Sequence, residues 1–298
     1  MTELKRQLNN DEKLNQPPRS PILVNNKQNY LSFLQINDYK SPSRITLKVT
    51  LRDLFIIDWH THILPGLDDG SPGIEQSLAM AGLLAAHGFT TVYCTPHQIR
   101  GCYEASNDQV RRAIAELQQL ITANDIPLTL LPGREYYLDE YLLTALEDPL
   151  PLGDSRQVLV EIPSRTSGDM VRQLFYAVVR SGFTPVIAHP ERCTLLTPSL
   201  QHPEKRGIRG FIGRFISSGH QHGPMPGTGD ATGNPLLDYL RDLGCSFQGN
   251  LGSFNNFYGR QAKTAAETLR NMGVYDRYGS DLHSPEHAKL VLGLPNAN

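Results

Sequence analysis

Two textures divide the chain. Residues 1–50 are rich in Asn, Gln, Lys, Pro and Ser, with one weak apolar patch, YLSFLQI, and no sustained period. That pattern predicts a disordered or loosely docked extension. Over 51–298 short apolar runs alternate with amphipathic stretches. LFIID (54–58) reads as a strand. Ser71 offers an N-cap and Pro72 a first helical position, and IEQSLAMAGLLAAH then sets Ile74, Leu78, Ala81 and Ala85 on one helical face before Gly88 stops it. TTVYC, LTLL (128–131), QVLVE (157–161), TPVIA (184–188), CSFQG and a short run near 278–281 supply six more strands. The stretches 107–124, 139–148, 168–182, 235–243, 260–272 and 285–292 read as helices. Strand followed by helix, seven times over, predicts an α/β domain with a parallel sheet, either closed into a barrel or open and doubly wound. One stretch, about 197–233, has no clean period and is rich in Gly, His, Arg and Pro; it reads as an inserted loop.

Composition narrows the function classes. Hydrophobic residues make up 39% of 298, enough for a sizeable core, and the formal charge of −2 gives no basic excess for nucleic acid or an anionic membrane. No run of about 18 apolar residues is present, so no membrane span is expected. The first residues lack a signal-peptide core. Cys94, Cys102, Cys193 and Cys245 are far apart and form no C-x-x-C pair, as in a reduced, cytoplasmic protein.

The polar residues that follow the strands carry the chemistry. The first strand is followed by Asp58, His60, His62, Asp68 and Asp69, the second by His97, and the third by Glu135. The fourth ends on Glu161. The fifth leads to His189 and Arg192, the sixth ends near Gln248 and Asn250, and the seventh leads to Asp281 and His283. In either α/β arrangement this is the binding edge. A single buried His is more often structural than a ligand, but seven strands obeying one rule point to a site. Nine residues could donate imidazole or carboxylate: His60, His62, Asp69, His97, Glu135, Glu161, His189, Asp281 and His283. That exceeds one ion's needs and predicts two or three divalent ions sharing carboxylates; mixed N/O ligation suits Mn²⁺, Fe²⁺ or Zn²⁺ and does not choose among them, and Mn²⁺ is taken as the first expectation. Asp58 is expected to orient a ligand His. Arg192 could bind phosphate bidentately or pair with a nearby carboxylate. GHQHG repeats the His-x-His spacing at His220 and His222 but follows no apolar strand, so spacing alone is not the signal.

Taken together, DWHTHILPGLDDG, TPH, GREYYLDEYL, VEIP, AHPER and SDLHS resemble the polymerase-and-histidinol-phosphatase (PHP) superfamily. Within it the likeness is to bacterial tyrosine-protein phosphatases of capsular and exopolysaccharide clusters. It covers about 54–196 and 235–294. The resemblance implies a distorted seven-stranded (β/α)7 barrel with a trinuclear site. His60, His62, Glu135 and Asp281 would hold one ion, with Glu135 bridging to a second completed by Glu161 and His189. Asp69, His97 and His283 would hold the third, and Arg192 would bind phosphate. It further implies phosphotyrosine protein as substrate and a cognate tyrosine autokinase as partner. Some members carry an Arg shortly after the final His; here His287 and Lys289 stand in that region. The competing readings are a histidinol-phosphate or other small-molecule phosphatase, an amidohydrolase-like metal enzyme, and a non-catalytic scaffold.

Overall fold

The computed structural model describes residues 57–197 and 232–293. The polar extension, most of the inserted stretch with GHQHG, and residues 54–56 of LFIID lie outside the described residues. Nine parallel strand segments form two sheets: β1 (Ile57–Thr61), β2 (Thr91–Cys94), β3 (His97–Gln98), β4 (Thr129–Pro132), β5 (Glu135–Tyr137), β6 (Gln157–Glu161), β7 (Thr184–Ala188), β8 (Ser246–Asn250) and β9 (Arg277–Gly279). One sheet runs β1-β2-β4 and the other β3-β5-β6-β7-β8-β9. The helices are α1 (Ile74–His87), α2 (Asn107–Ala123), α3 (Leu142–Ala145), α4 (Gly168–Arg180), α5 (Pro235–Asp242), α6 (Leu251–Phe254), α7 (Gly259–Asn271) and α8 (Ala288–Leu292), with 3₁₀ turns at Pro190–Arg192 and Pro285–His287.

The seven expected strand passes appear as nine segments in two sheets. Two chain passes are each broken once, β2 from β3 at Thr95–Pro96 and β4 from β5 at Gly133–Arg134. Pro96 has no N–H to give a ladder. A Cβ on Gly133 would lie 2.8 Å from Leu152 Cδ2, so the backbone there passes close to its neighbours. The break introduces no slip: Cys94 faces Pro132 before it and His97 faces Glu135 after it, at the same offset. Across the other edge, Thr61 and Leu282 form a parallel bridge, and His62 N donates to Leu282 O at 3.1 Å.

Strand chemistry follows from burial on both faces. In QVLVE, Val158 and Val160 pack with Val171, Phe175 and Val178 of α4, while Leu159 faces Tyr93, Val186 and Ala188 in an inner cluster. A separate cluster seats α1 and α2 on β2 and β4 through Met80, Leu84, Val92, Val110, Leu117 and Leu130. Helix α1 buries Ser77, Met80, Ala81 and Leu84, a face turned by about one position from the expected one, and Ile74 is 50% exposed. Its N-cap is Gly73, not Ser71, whose hydroxyl instead donates to Gly73 O. The expected helix at 139–148 shrinks to the four residues of α3. There the Asp139 carboxylate accepts from Tyr141 N, a local bond that competes with helix entry, and Pro149 bars continuation.

Candidate metal centre

The ladder brings the strand ends to one level. His97 lies opposite Glu135, Tyr137 opposite Glu161, Ala188 opposite Gln248, and Asn250 opposite Gly279. Two residues just past their strands, His189 (φ 30°) and Asp281 (φ 52°), hold left-handed backbone that non-glycine residues rarely adopt. Such strain persists where the surroundings fix a side chain's direction. Two glycines permit the closest approaches. A Cβ on Gly70 would sit 2.4 Å from His62 Cβ, and one on Gly279 would sit 2.5 Å from His60 Cβ.

His60 and His62 present their Nε2 atoms to each other at 3.1 Å. Their Nδ1 atoms are already engaged: His60 with Gln248 Oε1 at 3.0 Å, His62 with Asp68 Oδ2 at 2.7 Å. In the neutral imidazole an oxygen partner at Nδ1 selects the Nδ1–H tautomer, which turns both Nε2 lone pairs inward. Glu135 Oε2 is 3.2 Å from each Nε2, and Asp281 Oδ1 is 3.3 and 3.2 Å from them. Glu135 Oε2 also lies 3.1 Å from His97 Nδ1, yet both atoms are buried without a hydrogen bond. With the imidazoles deprotonated, these converging lone pairs and carboxylate oxygens form a donor set suited to a divalent cation.

The ligand atoms fall into three overlapping groups, each within 4.8 Å: His60, His62, Glu135 and Asp281; His62, Asp69, His97 and His283; and His97, Glu135 and Glu161. His189 stands beside the last group, with Nε2 3.1 Å from Glu135 Oε1 and 3.9 Å from Glu161 Oε1. His283 directs Nδ1 to Asp281 O at 2.9 Å, leaving Nε2 3.6 Å from Asp69 Oδ1. All nine candidate ligands thus meet in one continuous cluster. The family-based grouping sets His189 with Glu135 and Glu161; His97 shares that pair with it.

Charge balance explains the protonation of this cluster. Burial is the largest influence on His60 and opposes its charge, but Glu135 and Asp281 overcome it and push the imidazole up to about 9. Burial likewise opposes ionisation of Glu135, and His60 and His97 reverse this, holding it well below the usual carboxylate range. Burial and the Glu135 carboxylate push Glu161 up to about 7. Burial, aided by the Arg192 cation, drops His189 to about 4, so its imidazole is neutral and able to donate a lone pair.

Arg192 NH1 donates to Asp281 Oδ2 at 2.6 Å. Asp58 does not reach a ring: its Oδ1 accepts from His60 N and Ser280 N, tying β1 to the end of β9. The ring-orienting role expected of it falls to Asp68 and Gln248. Asp68 stands next to a candidate ligand in DDG, and Gln248 lies at a strand end, but neither is marked out by type. Tyr258, whose hydroxyl lies 3.2 Å from Asp281 Oδ2, has no signal in the sequence. Tyr136 is a core residue whose hydroxyl accepts from Leu150 N. Trp59, half-buried, stacks on Tyr93 at 4.7 Å.

Comparison with known proteins adds a second line of observation. The family model for capsular polysaccharide synthesis, CpsB/CapC, matches residues 56–210. Tyrosine-protein phosphatase YwqE of Bacillus subtilis (strain 168) is 31% identical over 232 residues, covering 77% of this chain and 78% of YwqE. Tyrosine-protein phosphatase CpsB of Streptococcus pneumoniae is 31% identical over 156 residues, 51% of this chain and 61% of CpsB. A solved structure among those of YwqE and S. pneumoniae CpsB, described as unique metal-dependent tyrosine phosphatases, superposes with a TM-score of 0.60 at 28% identity. It covers 81% of this chain and 88% of that one.

Proposed function

The chain belongs to the capsular polysaccharide synthesis family CpsB/CapC, and on that premise we propose that it is a metal-dependent protein-tyrosine phosphatase. The carrying observation is the pair of imidazole Nε2 atoms 3.1 Å apart, each with Nδ1 already engaged, facing Glu135 and Asp281. His60, His62, Asp69, His97, Glu135, Glu161, His189, Asp281 and His283 hold the ions. We read the three donor groups as three sites; mixed imidazole and carboxylate ligation accepts manganese, iron or zinc, and manganese is our first choice. The two sheets read as parts of one distorted seven-pass barrel, a reading supported by the Thr61–Leu282 bridge.

Divalent ions bound here supply an activated water and draw charge from the phosphoryl oxygens. The protein's own groups do the rest. Arg192 carries N–H donors beyond the one engaged with Asp281, and its planar fork suits two phosphate oxygens. Asp68 and Gln248 lock the His62 and His60 tautomers. Asp58 is a positioning residue for the β1–β9 junction. A tyrosine phenolate, with a pKa of about 10, needs less protonation on leaving than an alkoxide. Burial pushes the Cys94, Cys193 and Cys245 thiols up, which disfavours a phosphocysteine route through any of the three.

The substrate is phosphotyrosine in protein, with a tyrosine autokinase of capsule or exopolysaccharide synthesis as partner. Among the described residues no helix is long and apolar enough to cross a membrane. The free cysteines support a cytoplasmic location. The test is elemental analysis of the purified protein, with hydrolysis of a phosphotyrosyl peptide and of histidinol phosphate measured with and without added Mn²⁺. Manganese-dependent turnover that favours the peptide is expected. No peptide hydrolysis with any divalent ion overturns the proposal.

A further inference from the structure

Asp281 splits its two oxygens between different surroundings. Oδ1 faces the Nε2 atoms of His60 and His62 at 3.3 and 3.2 Å. Oδ2 faces three donors instead: Arg192 NH1 at 2.6 Å, Asn250 Nδ2 at 2.8 Å and the Tyr258 hydroxyl at 3.2 Å. That collar leaves Oδ1 alone to serve the candidate ion. Tyr258 meets this arrangement twice, because Arg192 Cζ also lies 4.3 Å from the centre of its ring. The ring itself is held from behind. A Cβ on Gly252 would lie 3.0 Å from Tyr258 Cε2, and Phe257 meets the ring edge-on at 4.9 Å and 83°.

We infer that Tyr258 is a positioning residue that fixes the plane of the Arg192 guanidinium and, through its hydroxyl, limits Asp281 to a single ligating oxygen. The inference rests on the phosphatase reading, in which Arg192 binds the phosphoryl group. A guanidinium stacked on an aromatic face keeps its plane while its edges stay free for oxygen acceptors. The ring and the hydroxyl therefore have separable effects. The ring governs phosphate affinity, and the hydroxyl governs the metal ligand.

The experiment uses the full chain loaded with Mn²⁺ and compares Y258F with Y258L. Binding of inorganic phosphate is followed by calorimetry, metal content by elemental analysis, and KM and kcat with a phosphotyrosyl peptide. Y258L should weaken phosphate binding and raise KM about tenfold, the scale of one desolvated cation–π contact. Its kcat should change much less than its KM. Y258F should restore phosphate affinity to within about twofold while losing metal several-fold more readily than the wild type to a chelator. Y258M fills the same space without a π face and replaces Y258L if that variant does not fold. Phosphate affinity unchanged in the ring-less variant overturns the inference, as does equal loss of affinity in Y258F. Wild-type protein that binds phosphate but hydrolyses no phosphotyrosine overturns only the phosphatase reading.

Discussion

Asp68 accepts three hydrogen bonds with two oxygens: from His62 Nδ1 at 2.7 Å, from His97 N at 2.9 Å and from Gly70 N at 3.0 Å. One carboxylate therefore sets the His62 tautomer and fixes the backbone that carries His97. Burial opposes its ionisation, but the His62 charge outweighs this and holds Asp68 below the ordinary range. Asp68→Asn should reduce Mn²⁺ affinity about 10–100-fold, because an amide turns one N–H₂ toward a donor it cannot satisfy. Metal titration of the folded variant checks this, and wild-type affinity would remove Asp68 from the site. The contrast with its neighbour shows what was legible here. Asp68 and Asp69 sit side by side in one turn, and only side-chain direction assigns one to His62 and the other to His97 and His283. Gln248 and Asn250 stand out at a strand end but carry no assigned role there, and Tyr258 gives no signal, because all three act through neutral groups. The nine ionisable candidates were legible because residue type and strand position agreed.

At the scale of elements, β1 and β9 meet closely only because Gly279 has no side chain. Gly279→Ala would put a Cβ 2.5 Å from His60 Cβ and 2.9 Å from Gln248 Nε2. Overpacking of this kind costs about 1–3 kcal/mol, or a Tm lowered by about 3–10 °C in a domain of this size. Metal retention should fall with it, since His60 and its Gln248 partner are the atoms displaced. Gly82 in the middle of α1 is the control: an added Cβ meets nothing within 4 Å, so Gly82→Ala should stabilise by about 0.5–1 kcal/mol. Thermal unfolding of both variants checks the pair, and a Gly279→Ala protein as stable as wild type would show that the junction yields. Helix and strand order could be read from the apolar period, because each run packs a face large enough to show it. The strand breaks could not be read that way: they depend on backbone approaches between distant segments, for which Pro96 and Gly133 gave only local hints. The four-residue α3 escaped because an Asp139–Tyr141 bond outcompetes a good helical period.

Across the whole molecule, the converging strand ends concentrate ionisable groups that ions and protons must share. In the metal-free protein, burial opposes the His60 charge but Glu135 and Asp281 raise it from 6.5 to about 9, while burial and Glu135 raise Glu161 from 4.5 to about 7. A group whose folded pKa is raised stabilises fully below its unfolded value and loses that contribution as pH rises through the folded value. The His60 contribution is then complete below about pH 6.5 and lost by about 9, and that of Glu161 is complete below about 4.5 and lost by about 7. The metal-free fold should weaken as pH climbs through this window. Divalent ions take the same donors without their protons, so binding strengthens and releases protons as pH rises. Because ligand binding to the folded state adds stability by mass action, the Tm gap between Mn²⁺-loaded and chelator-treated protein should widen steadily from about pH 6 to about 9. Thermal melts at fixed free Mn²⁺ across that range measure the gap directly. A gap that stays constant or narrows would mean that these side chains do not exchange protons for metal, and that the cluster is held together by internal ion pairing alone.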